Sequence, residues 1–280
     1  MSQRWKDSLL LAFAIVTGIA TAFTILGFSM KDLIPLCTKP LYFAVVVRLL
    51  IACTVFAMLT LLIWARKGKK YKDSISLNVG ENRVIVKEGD IFKENGWRVI
   101  PCETTFSTEV GNVISSESLH GKFVSYHADA TTIEAAVTAE IEKRNILPDQ
   151  NGNYRFELGT VIPCMGTDGN YLMVALNELN SDFEARTTMP KYEQALMRMW
   201  RELSKVYNGK PLFLPVLGDG MTRFDDGEKE TLENLLRCML CTLKTSREYY
   251  NTQISIVLYS GDDNKSKLQI YECKKILRVI

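Results

Sequence analysis

Hydrophobic residues are distributed unevenly along this chain of 280 residues. Residues 9–30 form an uncharged apolar run, and residues 41–65 form a second run that contains one charge, Arg48. Each run is long enough to cross about 30 Å of hydrocarbon at about 1.5 Å per residue. Pro35 and Pro40 lie between the runs and interrupt a continuous helix. The pattern predicts a transmembrane hairpin over residues 1–65, with helices at about 9–30 and 41–65.

Basic residues flank this predicted hairpin on one side. They are Arg4 and Lys6 before it, and Arg66, Lys67, Lys69, Lys70 and Lys72 in a basic juxtamembrane linker, residues 66–73. The positive-inside rule then predicts that both termini lie in the cytoplasm. We expect a multi-pass protein of the cell inner membrane. The linker also suits anionic lipid headgroups. Arg48 has two interpretations, snorkelling to the interface or a polar position in an assembled bundle.

From residue 74 onwards, short apolar runs alternate with amphipathic helical patterns. Strands are predicted at 74–77, 82–87, 97–100, 155–163, 171–176, 212–217, 253–259 and 267–273. Helices are predicted from a capping box at Thr131–Glu134 to about residue 147, from Pro190, and from Asp226. Residues 106–120 have no clean period and predict a long loop containing a short helix. This order predicts an α/β fold, a three-layer α/β/α domain with a mixed sheet over residues 74–280.

Composition narrows the functional classes only modestly. The formal net charge is +2, which gives no support to nucleic-acid binding, and we expect no nucleic acid as a partner. The seven cysteines are scattered and odd in number, which favours reduced thiols in a cytosolic domain over a disulfide framework. Cys238 and Cys241 lie on a predicted helix with no second Cys or His pair nearby, so core packing is favoured over a zinc site. We expect no metal and no resident cofactor.

The stretch from Pro211 to Phe224 carries the strongest local signal. A short apolar run ends at Gly218-Asp219-Gly220, and a helix is predicted to follow almost at once. Glycines at such a turn let backbone N–H groups approach a phosphate, and a nearby helix N-terminus adds partial positive charge. The loop lacks the Gly-Lys-Ser/Thr sequence of a triphosphate-binding loop. An ordinary tight turn between strand and helix is the alternative.

Two segments resemble a known family. Val84-Ile85-Val86-Lys87-Glu88-Gly89-Asp90-Ile91 is similar to the early strand and Gly-Asp-Ile turn of macro domains, and Leu214-Pro215-Val216-Leu217-Gly218-Asp219-Gly220 is similar to their second phosphate loop. A macro domain behind two transmembrane helices resembles the membrane-bound effector of type II Thoeris anti-phage systems. The resemblance implies a signal made from NAD by a TIR-domain partner, understood to be histidine-ADP-ribose. It also implies homo-oligomerisation on activation, membrane disruption and abortive infection.

The same resemblance implies a ligand site and no catalytic residue. Asp90 is expected to accept from the adenine amino group, next to the backbone N–H of Ile91. Tyr259 is expected either to cover the adenine or to pack in the core. The loop around the diphosphate and distal ribose is implied at Gly218, Asp219, Gly220, Met221 and Thr222. Further candidates near the phosphates and the ligand's substituent are Glu103, Thr105, His120, Gly121, Lys122 and Arg223.

Differences between this sequence and the family pattern favour a ligand receptor over a hydrolase. Macro domains that hydrolyse ADP-ribose linkages usually carry an Asn-Ala-Ala-Asn segment, whereas this chain has Pro101-Cys102-Glu103-Thr104-Thr105. We therefore expect a receptor that does not turn over its ligand. The alternatives are a membrane-tethered hydrolase acting on ADP-ribosylated substrates and a ligand-free docking platform. A thiol nucleophile at Cys102 with His120 or His127 is disfavoured, because nothing in the sequence orients such a pair.

Overall fold

The computed structural model describes residues 9–18, 53–64, 74–225 and 230–259. The chain divides into two compact units, residues 1–72 and residues 73–280. In the first unit, residues 9–18 and 53–64 are helical. Among the described residues, none of the helices has both the length and the apolar character needed to cross a bilayer. The remainder of the two predicted spans, Arg48 and the basic linker lie outside the described residues.

The second unit is built on a mixed β-sheet. Its strands, within the described residues, are β1 (Ser74–Val79), β2 (Asn82–Gly89), β3 (Trp97–Glu103), β4 (Val161–Gly166), β5 (Gly169–Leu179), β6 (Ala185–Thr187), β7 (Leu212–Pro215), β8 (Arg223–Phe224) and β9 (Ile254–Tyr259). The main sheet has the order β1-β2-β9-β7-β3-β5-β4, and β6 and β8 continue from the end of β5. Neighbours from β2 to β5 run parallel, whereas β1 and β4 are antiparallel to their partners. The predicted mixed sheet is confirmed.

Helices cover both faces of this sheet. They are α1 (Leu119–Tyr126), α2 (Ala130–Arg144), α3 (Met189–Val206) and α4 (Leu232–Ser246), with a 3-10 turn at Ile91–Lys93. On one face, the apolar stripes of α3 and α4 pack on the sheet in the larger core cluster. On the other face, Phe123 of α1 and Ile133 of α2 pack on β3, β4 and β5. The α/β architecture with helical layers on both faces follows from these stripes.

A contact between distant parts of the chain stabilises the interior of the main sheet. β2 pairs with β9, and the side chain of Asn82 fixes the connection that leads into β9. Its amide nitrogen donates to the carbonyl oxygen of Glu248 at 2.8 Å, and its Oδ1 accepts from the backbone N–H of Tyr250 at 2.9 Å. Asn82 is buried, so both bonds are protected from water.

Several predicted boundaries are wrong. The strand predicted at 155–163 begins only at Val161, and the strand predicted at 171–176 extends over Gly169–Leu179. The capping box predicted at Thr131–Glu134 does not form, because α2 already begins at Ala130 after Asp129. The side chain of Glu134 instead accepts a hydrogen bond from the Thr108 hydroxyl at 2.9 Å. The strand predicted at 267–273 lies outside the described residues.

The starts of α1 and α3 have side-chain caps, but only the start of α3 was predicted. The Thr188 hydroxyl accepts from the N–H of Lys191 before α3, whose first turn contains the expected proline. Ser118 accepts from the N–H of Gly121 at the start of α1. Each cap satisfies one of the N–H groups that lack a partner inside the helix.

Candidate functional site

Most of the predicted ligand residues follow the carboxyl ends of three parallel strands, β2, β7 and β3, and another ends β9, which lies between β2 and β7. Gly89 at the end of β2 is in register with Tyr259 at the end of β9, and Pro215 of β7 is in register with Val257 of β9. On the other side of β7, β3 ends at Glu103. The residues that follow β2, β3 and β7 therefore emerge at one edge of the sheet. In open α/β sheets this edge is where ligands bind.

Asp90 lies at this edge and caps the 3-10 turn. Its backbone is extended, and its Oδ1 accepts from the N–H of Phe92 at 3.1 Å. Oδ2 lies 3.7 Å from Nζ of Lys93, and the Asp90 side chain is 33% exposed. Ile91 is buried against Phe213 and Val257, which fixes the backbone next to Asp90. One carboxylate oxygen thus shapes the turn, and the other faces a weaker, solvated contact.

The start of the glycine loop, residues 217–222, contacts α3 and α4. The phenolic hydroxyl of Tyr192 donates to the carbonyl oxygen of Leu217 at 2.7 Å. Gly218 has φ +85°, a left-handed conformation that favours glycine, and a Cβ there would lie 3.4 Å from side-chain atoms of Tyr192 and Leu235. At Gly220, by contrast, a Cβ would have no described atom within 4 Å. The loop is fixed at its start, and no described atom occupies the space around a Cβ at Gly220.

The expectation that a helix follows this loop almost at once is wrong. Arg223 and Phe224 form β8, which pairs in parallel with β6. Helix α4 begins only at Leu232, where the Thr231 hydroxyl caps it by accepting from the N–H of Asn234. No helix N-terminus directly follows the glycines, so the predicted contribution of a helix dipole to phosphate binding does not apply at this loop. Backbone N–H groups of the loop remain as donors.

The end of the glycine loop is tied to neighbouring strands. The amide nitrogen of Asn177, on β5, donates to the Thr222 hydroxyl at 3.0 Å. Met221 is 49% exposed. Nε of Arg223 lies 3.4 Å from a carboxylate oxygen of Glu184, and the Arg223 side chain is mostly exposed. Thr222 therefore connects this loop to β5 of the main sheet through a hydrogen bond.

Glu103 organises the loop that follows β3. Its carboxylate accepts from the backbone N–H of Thr105 at 2.5 Å and from that of Ser107 at 2.6 Å. Phe106, between them, has φ +51° and is buried edge-on against Phe156, with ring centroids 5.1 Å apart. Both oxygens of Glu103 thus hold the turn at Thr105, and the buried phenyl ring anchors it.

His120, Gly121 and Lys122 lie on the first turn of α1, which begins at the end of the loop predicted over residues 106–120. Packing explains the glycine, because a Cβ at Gly121 would lie 2.2 Å from the carbonyl oxygen of Ser115. His120 is buried, and burial lowers its pKa to about 4. The imidazole is therefore uncharged at neutral pH and offers hydrogen bonds rather than positive charge to a ligand.

The sequence left two roles open for Tyr259, covering the adenine or packing in the core. Tyr259 is 75% exposed at the end of β9, so its ring does not pack in the core.

Cys238 is buried in the core cluster on α4, whereas Cys241 is exposed. Burial, together with the neighbouring charge of Glu103, raises the pKa of Cys102 well above its usual value, which opposes a role as a nucleophile. Within the described residues no group of three or more His, Cys, Asp or Glu side chains is arranged to hold a metal ion.

Sequence reasoning missed two groups of polar residues. Asn177 of β5 pairs with Glu103 of β3 after a register shift that leaves Leu176 of β5 as the extra residue, at the edge that carries the candidate site. At the opposite end of these strands, Asp168 accepts from Tyr171 at 2.7 Å and binds Arg98 and His127 at 3.0 Å each. An Asn directly after the apolar run of β5 was the available signal for Asn177.

The His127 ring also stacks on Phe92, at 3.9 Å between centroids. Because Phe92 lies in the 3-10 turn after Asp90 and His127 follows α1, this stack joins the segment after β2 to the carboxyl end of α1.

The chain was compared with known proteins. A relative from Bacillus amyloliquefaciens (strain Y2), "Thoeris protein ThsA", is 28% identical over 218 residues, which cover 73% of this chain and 71% of the relative. Among solved structures, a variant of the Oceanobacillus iheyensis macrodomain with ADPR is 19% identical, with a TM-score of 0.49, and covers 74% of this chain and 100% of that one. The same macrodomain with ADP is 18% identical, with a TM-score of 0.48, and covers 74% and 98%.

A family model described as "Thoeris protein ThsA, Macro domain" matches residues 84–259. This range runs from the early part of β2 to the end of β9 and so includes the whole edge described above. The chain therefore belongs to the family of Thoeris ThsA macro domains.

Proposed function

We propose that this protein is a receptor of an anti-phage defence system that binds an ADP-ribose-derived nucleotide without consuming it. One observation carries the proposal: Asp90, the glycine loop and Tyr259 share one edge of the sheet, and no described atom lies within 4 Å of a Cβ at Gly220. The family membership and the ThsA relative support a role in Thoeris defence. The O. iheyensis macrodomain is described as a complex with ADPR.

Each part of the edge suits one part of such a ligand. The solvated oxygen of Asp90 accepts a hydrogen bond from the adenine amino group, and the exposed ring of Tyr259 stacks on the base. Backbone N–H groups around Gly220 donate to the diphosphate, which approaches closely because no side chain intervenes. Glu103, Thr105 and the first turn of α1 lie toward the ligand's far end. The signal that we expect there is histidine-ADP-ribose from a TIR-domain partner.

The first test is a calorimetric titration of the full chain in detergent with ADP-ribose and with histidine-ADP-ribose, followed by recovery of the ligand. Tight binding of the histidine adduct, weaker binding of ADP-ribose and an unchanged ligand identify a receptor. A consumed ligand identifies the tethered hydrolase instead. Absence of binding to either nucleotide contradicts the proposed function and favours a ligand-free docking platform.

We propose that residues 9–30 and 41–65 insert in the inner membrane as a hairpin with both termini in the cytoplasm. The ligand must then bind the assembled form of the protein more tightly than the unassembled form. A ligand with equal affinity for both forms does not change their populations. Assembly brings several hairpins together and disrupts the membrane. Labelling of Cys37 from the outer side, in a variant whose other six cysteines are replaced, tests the topology. Cross-linking with and without histidine-ADP-ribose tests the assembly.

A further inference from the structure

The first strand of the main sheet is paired on one side only. β1 (Ser74–Val79) lies at the end of the strand order and, among the described residues, pairs with β2 alone. This pairing is antiparallel and covers all six residues of β1 without a shift in register. The side of β1 that faces away from β2, its outer side, therefore carries backbone N–H and C=O groups that no described strand satisfies.

The turn between β1 and β2 shows which backbone groups face outwards. The turn has two residues, 80 and 81, and Val79 lies opposite Asn82. Residues that flank a two-residue turn form a hydrogen-bonded pair, so every second residue of β1, counted from Val79, bonds to β2. The remaining residues point their backbone groups away from β2 and have exposed side chains; they are Ser74, Ser76 and Asn78.

The outer side of β1 lacks the usual protection of an edge strand. Natural edge strands are protected by charged side chains, by proline, by bulges or by a very short length. β1 has the sequence Ser-Ile-Ser-Leu-Asn-Val, which contains neither a charge nor a proline, and its pairing with β2 is regular. This strand is therefore suited to pair with one more strand.

A second copy of β1 is complementary to this outer side. In an antiparallel arrangement centred on Ser76, each Ser76 lies opposite its counterpart and Ser74 lies opposite Asn78 of the other copy. The outward backbone groups then form up to about six hydrogen bonds. The same register places Ile75 of one copy beside Leu77 of the other. Leu77 is only partly buried in the single chain, so the pairing covers apolar surface as well.

We propose that β1 pairs with β1 of a second copy, so that two sheets join across a two-fold axis in the assembled state. This inference rests on the proposed function, because it names the surface through which the receptor assembles. β1 begins at Ser74, directly after the basic linker, residues 66–73, that follows the proposed membrane hairpin. Copies held in one membrane present this strand at a high local concentration, which suits an interface too small for a stable dimer in solution.

The first variant for the test is Ser76→Pro. It removes an N–H that does not bond to β2, and proline is tolerated on edge strands. Full-length copies labelled with donor or acceptor dyes are reconstituted together in vesicles of phosphatidylethanolamine and phosphatidylglycerol, and energy transfer is measured with histidine-ADP-ribose present. We expect the urea midpoint and the nucleotide affinity to be retained, whereas association between copies falls at least about tenfold.

Opposite charges at the same position provide a restoration test. Copies that all carry Ser76→Lys, or all carry Ser76→Glu, place like charges opposite each other, and we expect association to fall about fivefold. Donor-labelled Ser76→Lys mixed with acceptor-labelled Ser76→Glu regains the energy transfer, because opposite charges then lie side by side. Arg83→Glu changes an exposed charge on β2, away from the outer side of β1, and is the matched control with unchanged association.

The possible outcomes separate the inference from the proposed function. Undiminished association of Ser76→Pro, or no restoration on mixing the charged variants, overturns the inference and leaves the receptor intact. A lower urea midpoint of Ser76→Pro also overturns it, because the N–H of Ser76 is then bonded within the chain, for instance to the strand predicted at 267–273. Nucleotide binding by unmodified copies that do not associate overturns the inference together with the proposed assembly. Absence of nucleotide binding overturns the proposed function itself, and the inference with it.

Discussion

The hydroxyl of Tyr192 donates to the carbonyl oxygen of Leu217 at 2.7 Å, and both residues are fully buried. This bond ties the start of the glycine loop to α3. We expect Tyr192→Phe to lower the free energy of unfolding by about 1–3 kcal/mol, because it leaves a buried carbonyl without its donor. Affinity for ADP-ribose falls as well, since the loop loses its fixed position. Urea denaturation and calorimetry measure the two effects.

Tyr207→Phe is the matched control for this change. The Tyr207 hydroxyl donates to the side chain of Asn251 at 3.0 Å in a solvent-exposed bond. Its loss changes the free energy of unfolding by less than about 0.5 kcal/mol and leaves ligand affinity unchanged. Equal effects of the two substitutions contradict a special role for the contact between α3 and the loop.

The two glycines of the loop are expected to respond differently to alanine. Gly218→Ala places a Cβ at φ +85° and lowers the free energy of unfolding by about 1–2 kcal/mol. Gly220→Ala meets no described atom within 4 Å, so stability is maintained. Its methyl group nevertheless obstructs the approach of a diphosphate, and the affinity for ADP-ribose falls. Denaturation and calorimetry check both variants. Unimpaired binding by Gly220→Ala and Gly220→Val places the diphosphate elsewhere.

Asp90→Asn separates the structural role of this residue from its role in base recognition. Since Oδ1 accepts from the N–H of Phe92 at 3.1 Å, the amide oxygen keeps this bond and the NH₂ group takes the place of Oδ2. Stability is retained, but a donor now faces the adenine amino group, and the affinity for ADP-ribose falls about tenfold. The hypoxanthine analogue, whose base presents an acceptor at the same position, binds the variant better than ADP-ribose does. An unaltered preference for adenine in competition titrations removes Asp90 from the base site.

His120 makes stability depend on pH. Burial lowers its pKa to about 4, whereas the unfolded chain has an ordinary histidine pKa of about 6.5. Between these values the unfolded state binds more protons, so the free energy of unfolding decreases as pH falls through this window. The slope reaches at most about 1.4 kcal/mol per pH unit.

Urea denaturation at pH 7 and pH 5 measures this dependence. His120→Leu removes the titrating group and is expected to lose less stability between the two pH values than the unmodified protein. His127→Leu, at the only other histidine of the chain, provides the comparison, because its side chain is partly exposed and lies 3.0 Å from Asp168. If His120→Leu leaves the pH dependence unchanged, the imidazole is not held neutral by burial.

Apolar runs and helical stripes were sufficient to predict the α/β class and most of the main elements. Ile254 to Leu258 and the stripe through Tyr192, Leu196 and Met199 are buried as their patterns predict. The three-residue β6 and the two-residue β8 were missed, because such short segments have no measurable period. Missing β8 led directly to the wrong expectation of a helix after the glycine loop.

The candidate site was predictable only where its residues are contiguous in sequence and form a recognisable motif. The Gly-Asp-Ile turn and the glycine loop are contiguous in sequence. Asn177, in contrast, reaches the edge through strand register, and Thr222 meets it from 45 residues further along the chain. Gly121 illustrates the opposite error, since packing against Ser115 explains it without a ligand.

The pairing of β2 with β9 has a consequence for biosynthesis. The clamp between Asn82 and Tyr250 joins residues separated by 168 positions, and Tyr259 ends the last strand of the parallel sheet in the described residues. On the ribosome, Asp90 emerges long before its neighbours across the sheet exist. Contacts of such long sequence separation form late. A nascent or prematurely terminated chain consequently lacks the complete edge formed by the ends of β2, β9, β7 and β3 until synthesis has passed β9.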